Sequence, residues 1–392
     1  MSRLKVAIIR GDCLNPWEMQ NFSPLAKMGG DVIDIIACGA IDAGYPVENI
    51  ELAIEKFPLR TTRFERWGRA ARLMEKLGLV RRPAHELVGL GDFLRDYDIA
   101  HSAETHLPIS EQAVKSGCRK VVLTCWETIP HAYEEIDGIA ERRRIVRPKV
   151  DLFLPTTPRA ARALEIEGVA PDKIRMLMPG VDVHRFTSAN RSKKMCEELA
   201  VSEDDILFLF IGRLILEKGV RELVIAFDDM LSRLPETVAD RCKLRIAGEG
   251  PMKKRIQEWI SNRKLDDKAA IVSGRDYSQL NELHQSADIF VLPSVPAPYW
   301  EEQFGMVLIE AMACGKPVIS TSSGAIPEVV GCAAILVPPM EPLALSQAMA
   351  ELAENGQKRT ELGKQARQRA VEQFDSEQFA RQLLCLYQKL AQ

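Results

Sequence analysis

Short apolar runs alternate with longer amphipathic stretches along this chain, and the whole alternation occurs twice. Strand-length apolar runs separated by helix-length patterns, such as Val220–Leu234, are typical of parallel sheets with helices on both faces. In the first half, strands are predicted at Leu4–Ile9, Val32–Ala37, Ile99–Ser102, Lys120–Thr124, Leu152–Pro155 and Ile174–Met178. In the second half, they are predicted at Ile206–Ile211, Lys243–Ala247, Ala270–Ser273, Asp288–Leu292, Pro317–Ser320 and Ala334–Val337. The pattern therefore predicts an α/β protein with two doubly wound, Rossmann-like domains.

The alternation breaks after Pro179-Gly180-Val181-Asp182, where a polar stretch precedes the next strand. A chain of 392 residues is also longer than one hydrophobic core usually supports. We therefore predict an N-terminal domain over residues 1–186 and a C-terminal domain over residues 187–375. A last helix is predicted over residues 376–392.

The composition narrows the functional classes. The formal net charge of −3 is nearly balanced, which argues against a nucleic-acid partner. The nine cysteines are scattered without a Cys-x-x-Cys pair, so neither a disulfide framework nor a zinc site is indicated and a cytoplasmic location is expected. The first apolar run is too short for a signal peptide, and no run reaches the roughly 20 residues of a membrane-spanning helix.

Two carboxylates mark the most informative segment, which runs from Glu302 to Val318. On one continuous helix, Glu302 and Glu310 would share a face. Gly305 instead favours Glu302 in a loop and Glu310 in the helix that follows, with both facing one cleft. Because the N-terminus of a helix attracts anions, a phosphate there beside two hydroxyl-binding carboxylates indicates a sugar-nucleotide site.

A second candidate is the loop from Gly212 to Gly219, which follows a buried strand and precedes a helix. Gly212 allows a sharp turn, and Arg213 and Lys218 place two cations at the edge of the sheet where open α/β proteins bind ligands. Two cations suit a diphosphate. An ordinary solvated loop with surface charges is the alternative.

Other loops after predicted strands supply weaker candidates. Gly250 and Arg275 lie in two such turns, and Asn15 follows the first strand. Each could contact a ligand, or serve only the packing of its loop. The Asp96-Tyr97-Asp98 pattern precedes a strand, at the wrong end of the sheet for a ligand, so no metal site is predicted.

The stretch from Lys56 to Arg82 carries basic residues at spacings of three or four, with apolar residues interleaved. On a helix this gives a basic face beside an apolar face, which is the pattern of a helix that binds membrane surfaces. A solvated helix that packs on its own sheet is the alternative.

Taken together, these motifs resemble the family 4 retaining glycosyltransferases of the GT-B fold, the glycosyl transferases group 1. The resemblance runs from about Asp151 to Val337 and rests on the order and spacing of four elements: Met178-Pro179-Gly180-Val181-Asp182, the Gly212–Gly219 loop, Gly248-Glu249-Gly250-Pro251 and the Glu302/Glu310 segment. It implies two Rossmann-like domains that face a central cleft. It also implies a last helix that crosses back to the N-terminal domain.

The resemblance also implies roles for individual residues. The carboxylate matching Glu310 would bind the ribose, and Glu302 would lie near the donor sugar and the reacting centre. The cations matching Arg213 and Lys218 would neutralise the diphosphate without a metal or other cofactor. Backbone amides around the start of the helix would complete the anion site, at Phe304, Gly305, Met306, Val307 and Leu308.

The chain departs from this family at one place. Many members have a histidine in the cleft after the strand matching Lys120–Thr124, whereas this chain has Trp126 and Glu127 there and His131 later. Either His131 reaches the site, or Glu127 takes a polar role, or the contact is absent. His101, Glu104 and His106, at the preceding strand Ile99–Ser102, are further candidates for the cleft.

The resulting prediction is a retaining hexosyltransferase that uses a UDP- or GDP-sugar and a lipid-linked or cell-envelope glycan acceptor. It would be cytoplasmic, with peripheral membrane contact through residues 56–82. A soluble sugar or sugar-phosphate acceptor is the first alternative, and a catalytically silent sugar-nucleotide-binding subunit is another. A nucleotide-sugar epimerase is disfavoured by the Glu302/Glu310 segment.

Overall fold

The computed structural model of the protein describes residues 3–41, 50–60, 86–136, 138–272 and 276–392. Two sheets of six parallel strands form its framework. The first sheet has the order β3-β2-β1-β4-β5-β6 and the second β12-β11-β10-β7-β8-β9. The strands are β1 Leu4–Gly11, β2 Ile33–Ala40, β3 Ala53–Phe57, β4 Ile99–Ala103, β5 Lys120–Cys125, β6 Leu152–Pro155, β7 Ile206–Ile211, β8 Cys242–Ala247, β9 Ala269–Val272, β10 Ile289–Leu292, β11 Val318–Thr321 and β12 Ile335–Val337.

Helices connect the strands, as parallel pairing requires. Short helices follow β1, and long amphipathic helices flank the second sheet. The described α-helices are α1 Pro16–Met19, α2 Ser23–Met28, α3 Leu90–Phe93, α4 Pro108–Lys115, α5 Ile139–Val146, α6 Pro158–Ile166, α7 Lys193–Leu199, α8 Val220–Arg233, α9 Glu236–Ala239, α10 Lys253–Asn262, α11 Leu280–Ser286, α12 Met306–Ala313, α13 Ile326–Val330, α14 Pro342–Glu354, α15 Gly356–Gln373 and α16 Ser376–Ala391.

The fold confirms the predicted pair of doubly wound domains, with two corrections at strand level. Ile174–Met178 is not a regular strand, although it runs beside β6. It forms an isolated bridge between Ile174 and Phe153, and the N–H groups of Arg175 and Leu177 donate to Phe153 O and Pro155 O at 2.9 and 3.0 Å. The edge strand β3 was not predicted, because only Phe57 of its five residues is buried and the apolar pattern is weak. The predicted division at 186/187 falls between the two sheets.

The last helix, α16, crosses back to the N-terminal domain, as expected. Phe379, Leu383 and Tyr387 are buried in the core on one face of the first sheet. His101 of β4 lies 2.5 Å from the Tyr387 hydroxyl through Nδ1 and 2.7 Å from Thr124 Oγ1 through Nε2. Burial lowers the pKa of His101 well below its usual value. The helix is therefore a component of the first domain's core.

The chain passes between the domains twice at one place. Val181 N–H donates to Phe374 O at 2.6 Å, and Ser376 N–H donates to Val181 O at 3.0 Å. A Cβ on Gly180 would lie 2.7 Å from the Ser376 backbone, so glycine permits this close approach. The two crossing segments are therefore hydrogen-bonded to each other and closely packed.

Among the described residues, no helix is both long enough and apolar enough to cross a bilayer. Most of the predicted basic face, residues 61–82, lies outside the described part of the chain. The membrane-surface hypothesis therefore stays a prediction.

Candidate active site at the facing edges of the two sheets

The carboxyl ends of both sheets carry the polar loops, which is where open α/β sheets bind ligands. We call residues 212–219, 248–250, 293–305 and 322–325 the C-terminal rim. We call residues 104–107 and 126–136 the N-terminal rim. The two rims touch at several points described below, so they border one cleft.

Glu302 is the centre of the C-terminal rim. It lies in the loop before α12, as predicted, and is only 5% exposed. Lys218 Nζ donates to both carboxylate oxygens, at 2.9 and 2.7 Å, and Ser294 Oγ donates to Oε2 at 2.6 Å. Lys218 Nζ also lies 5.2 Å from the centre of the Trp300 ring. A buried carboxylate is thus fixed by a cation and a hydroxyl.

Two glycines make this arrangement possible. Gly305 has φ of 84° and begins α12 in the left-handed region. Gly324 has φ of 54°, and a Cβ there would lie 2.2 Å from Glu302 O. Ala325 N–H donates to the same carbonyl at 2.8 Å. The loop after β11 therefore holds the backbone of Glu302 in place.

Glycines also allow close backbone packing around the loop that carries Arg213 and Lys218. Gly219 has φ of 66°, and a Cβ there would lie 1.8 Å from Pro293 O. Gly248 and Gly250 pack against the backbone of Gly212 and Leu214, where a Cβ would lie 1.9 and 2.5 Å from their carbonyl oxygens. Gly219 follows Lys218 directly, so its close packing on Pro293 holds the backbone from which the Lys218 side chain reaches Glu302.

Arg213 differs from Lys218. Its side chain is exposed, and no hydrogen bond or ion pair joins that side chain to any residue in the described part of the chain. Both predicted cations therefore belong to the same loop, but only Lys218 is neutralised by a protein carboxylate.

Glu310 lies inside α12, as predicted, and is 1% exposed. Tyr277 donates its hydroxyl to Glu310 Oε1 at 3.1 Å, while Oε2 faces His284 Nε2 at 3.5 Å without a hydrogen bond. Burial and Glu310 raise the pKa of Tyr277 well above its usual value. The Trp17 ring lies 6.2 Å from the Tyr277 ring, so the hydrogen-bond partner of Glu310 packs against a side chain of the N-terminal domain.

The start of α12 provides the predicted backbone donors. Phe304 is buried between Trp126 and Phe374, with both ring pairs 5.9 Å apart and nearly perpendicular. Met306 and Val307 form the first turn, where N–H groups have no partner within the helix. Leu308 N–H donates to Gly305 O at 2.8 Å.

The N-terminal rim meets this segment through Trp126 and Glu127. Glu127 Oε1 accepts the N–H groups of Thr128 and Ile129 at 3.0 and 3.1 Å. Gln303 Nε2 donates to Glu127 Oε2 at 3.3 Å. Burial raises the pKa of Glu127 above its usual value. Glu127 therefore contacts the residue next to Glu302, and its polar role toward a ligand stays a prediction.

Further contacts join the C-terminal rim to the N-terminal domain, at Arg159 of α6 and at Glu135 of the N-terminal rim. Arg159 Nε and Nη2 donate to the two carboxylate oxygens of Glu301 at 2.5 and 2.9 Å, and Tyr299 donates to Glu135 at 3.3 Å. The loop thus reaches the other domain at residues 299, 301 and 303, while Glu302 is held by its own domain.

Two predicted site residues have other partners. His131 Nδ1 lies 3.1 Å from Glu134 Oε2, and its N–H donates to Glu167, so no contact joins it to Glu302 or Lys218. Asn15 caps α1, accepting from Glu18 N–H at 2.8 Å and donating to Cys13 O at 2.7 Å. Their roles toward a ligand stay predictions, and Arg275 lies outside the described residues.

Sequence reasoning missed Ser294, Tyr277 and Gln303. Ser294 could have been found as the first hydroxyl after the apolar strand β10. Tyr277 and Gln303 gave no signal, because their partners are distant in sequence.

Residues 192–369 match the family described as Glycosyl transferases group 1. WcaL of Salmonella typhimurium, a glycosyltransferase assigned to colanic acid biosynthesis, is 28% identical over 304 residues, which cover 76% of this chain and 71% of WcaL. The D-inositol 3-phosphate glycosyltransferase of Corynebacterium jeikeium is 29% identical, over 64% of this chain and 61% of that protein. This chain therefore matches less than two thirds of the length of the corynebacterial enzyme.

The fold is shared with HepE of Anabaena, solved with UDP and glucose. The TM-score is 0.75 at 18% identity, with 99% of this chain and 100% of HepE covered. The architecture is therefore GT-B, as the resemblance implied. The family match and the relatives support a glycosyltransferase.

Proposed function

We propose that this protein transfers a hexose from a nucleoside-diphosphate sugar, such as a UDP- or GDP-sugar, to a lipid-linked or cell-envelope glycan, with retention of anomeric configuration. The observation that carries the proposal is the largely buried ion pair between Lys218 and Glu302, which precedes α12. The loop of Lys218 also carries the cation Arg213, whose side chain has no partner among the described residues. The complex of HepE with UDP and glucose supports a nucleotide-sugar donor.

Each residue has a role that follows from its chemistry. Arg213, Lys218 and the first N–H groups of α12 would bind the diphosphate and stabilise it as it departs. Because Lys218 is paired with Glu302 here, diphosphate binding would share that cation between two anions. Glu302 would accept hydroxyls of the donor sugar, and Glu310 those of the ribose once Tyr277 yields its hydrogen bond.

The proposed reaction breaks the bond between the anomeric carbon and the diphosphate oxygen. The acceptor oxygen bonds to the same face of that carbon, and its proton passes to the departing diphosphate. The groups named above supply the charge stabilisation, so the proposed mechanism uses no metal ion and no covalent enzyme intermediate.

Two relatives bear on the class of acceptor. WcaL, assigned to colanic acid biosynthesis, supports a cell-envelope glycan. The corynebacterial relative named for D-inositol 3-phosphate supports the alternative of a soluble, phosphorylated acceptor. A cell-envelope acceptor also fits a cytoplasmic enzyme at the inner membrane face. Charge reversal within residues 56–82 should then reduce binding to anionic liposomes, and unchanged binding would refute the membrane contact.

The donor is tested first, by thermal unfolding of the purified protein with UDP-, GDP- and ADP-sugars. A bound donor should raise the midpoint, by mass action. Release of free nucleoside diphosphate is then measured with and without lipid-linked and soluble acceptors. Release that needs an acceptor supports transfer, whereas donor binding without turnover on any acceptor would favour the silent subunit.

The stereochemistry is read from the anomeric proton of the product by NMR.

The site assignment is tested with Glu302→Ala. The matched control is Glu258→Gln, which changes an exposed carboxylate on α10. If Glu302→Ala turns over as fast as this control, the site assignment is wrong.

A further inference from the structure

The N-terminal rim contains unusual backbone geometry. Glu104, His131 and Tyr133 have φ values of 56°, 60° and 64°, in the left-handed region that non-glycine residues seldom adopt. Each such residue costs on the order of 1–3 kcal/mol and persists only where its surroundings enforce it. All three follow β4 or β5, on the side of the domain that faces the cleft.

The side chain of Glu104 explains why its own conformation is enforced. Its N–H donates to Thr124 O at 2.9 Å, continuing the pairing of β4 with β5. Its Oε1 then accepts the N–H of Trp126 at 2.6 Å and that of Glu127 at 3.1 Å. One carboxyl oxygen thus satisfies two successive backbone donors of the next loop.

The loop held in this way makes the contacts with the other domain. Trp126 packs edge-on against Phe304, and Glu127 accepts from Gln303, the residue next to Glu302. Glu127 in turn accepts the next two backbone N–H groups. The two carboxyls therefore divide the four backbone donors of residues 126–129 between them.

We propose that Glu104 is a positioning residue that sets the course of residues 126–129 and so fixes how the N-terminal rim meets the segment carrying Glu302. The inference deepens the proposed function and rests on it for the catalytic consequence. Glu104 itself does not contact Glu302.

The positioning role of Glu104 can be tested by varying the pH, because its carboxyl group ionises within an accessible pH range. Burial, and then the neighbouring Glu127, raise the pKa of Glu104 to about 8. His106 Nδ1 lies 4.0 Å from Glu104 Oε2, but burial lowers the pKa of His106 to about 4, so this pair is neutral at pH 7. The titratable groups whose charges act on Glu104 or respond to it are Cys125, Glu127, Tyr133, Arg143 and His106.

Because the pKa of Glu104 is raised in the folded state, the free energy of unfolding depends on pH. The folded state holds the Glu104 proton up to about pH 8, whereas the unfolded chain releases it near pH 4.5. The folded state therefore binds more protons between these values, and stability falls as pH rises from about 4.5 to about 8, then levels off. In Glu104→Gln the neutral amide keeps the acceptor oxygen, so this contribution should disappear.

The first experiment needs neither donor nor acceptor. Unfolding is measured from pH 5 to 9 for the wild type, Glu104→Gln and the exposed control Glu258→Gln. Trp126 fluorescence is isolated by subtracting the signal of Trp126→Phe. We expect a fluorescence transition near pH 8 that is lost in Glu104→Gln but kept in the control. An identical transition and an identical pH dependence of unfolding in Glu104→Gln would overturn the inference.

The second experiment measures donor turnover. Misplacing residues 126–129 should reduce kcat/KM by about 10- to 100-fold in Glu104→Ala, with Glu104→Gln restoring most of it at pH 7. Folded Glu104→Ala with wild-type kcat/KM would overturn the inference. If the wild type turns over no donor at all, the proposed function fails, while the first experiment still decides the role of Glu104.

Discussion

The two rims of the cleft both contain buried carboxylates, but these carboxylates bind different partners. In the C-terminal rim, Glu302 is held by Lys218 and Ser294, and glycines provide every unusual backbone angle there. In the N-terminal rim, Glu104 and Glu127 bind backbone N–H groups and have raised pKa values. The positive φ angles there belong to non-glycine residues, namely Glu104, His131 and Tyr133. The first rim is organised to receive charge, and the second to hold a loop in shape.

The largest effect is expected when the cation that pairs with Glu302 is removed from the C-terminal rim. Lys218→Met removes the cation and leaves Glu302 buried, with the Ser294 hydroxyl as its one remaining side-chain partner among the described residues. We expect a loss of about 100- to 1,000-fold in kcat for sugar transfer, the range seen when one charge-stabilising group is removed. The control is Lys253→Met, whose exposed partner is Glu249. Activity within about threefold of that control would show that the charged pair is structural.

The next prediction tests whether backbone packing fixes Glu302. In Gly324→Ala the new Cβ would lie 2.2 Å from Glu302 O at a φ of 54°, so the loop must move. We expect unfolding to become easier by about 2–4 kcal/mol, with reduced transfer. Urea unfolding and turnover are measured beside Gly91→Ala, where nothing lies within 4 Å of a new Cβ. Equal stability of the two variants would contradict the described packing.

A smaller effect is expected at the exposed cation. Arg213→Ala should lower donor kcat/KM by about 10- to 100-fold, because a charge-assisted hydrogen bond contributes about 1.5–3 kcal/mol. Stability should not change, since no described residue pairs with Arg213. Arg221→Ala, at an exposed position on α8, is the control. A loss of stability without a loss of activity would reverse the roles assigned to Arg213 and Lys218.

The smallest effect concerns the contact between the C-terminal rim and α6 of the N-terminal domain. Arg159→Ala removes the two hydrogen bonds to Glu301, but Arg159 is half exposed, so the free energy of unfolding should fall by less than about 1 kcal/mol. We expect donor KM to rise a few-fold while kcat stays similar. Arg162→Ala, on the same helix and paired with Glu165 of that helix, is the control. A fall in kcat with unchanged KM would show that this contact acts in the chemical step.

The difference between the rims also explains what the sequence could predict. Glu302, Gly305 and Glu310 lie within nine residues, so turn chemistry and helix periodicity place them without tertiary information. Lys218 was predicted to be in the site because its loop follows a buried strand. Its pairing with Glu302 was not, because 84 residues separate the two.

The N-terminal rim could be predicted far less well. Glu104 and Trp126 are 22 residues apart and meet only because β4 and β5 are neighbours in the sheet. His131 was a candidate on residue type alone, and the structure pairs it with Glu134 instead. Local patterns identify loops at the edge of a sheet, but which side chains meet across neighbouring loops depends on register and burial.

The return of α16 has a consequence for biosynthesis. Tyr387 hydrogen-bonds to His101 across 286 positions of sequence, and Phe379 and Leu383 complete the same core. Domains generally fold in order as a chain leaves the ribosome, and the C-terminal sheet is complete once β12 has emerged. The N-terminal domain, although it is made first, must therefore wait for its last core residues. Its unfinished face would be exposed throughout most of translation, when the nascent chain would be most open to chaperones and proteases.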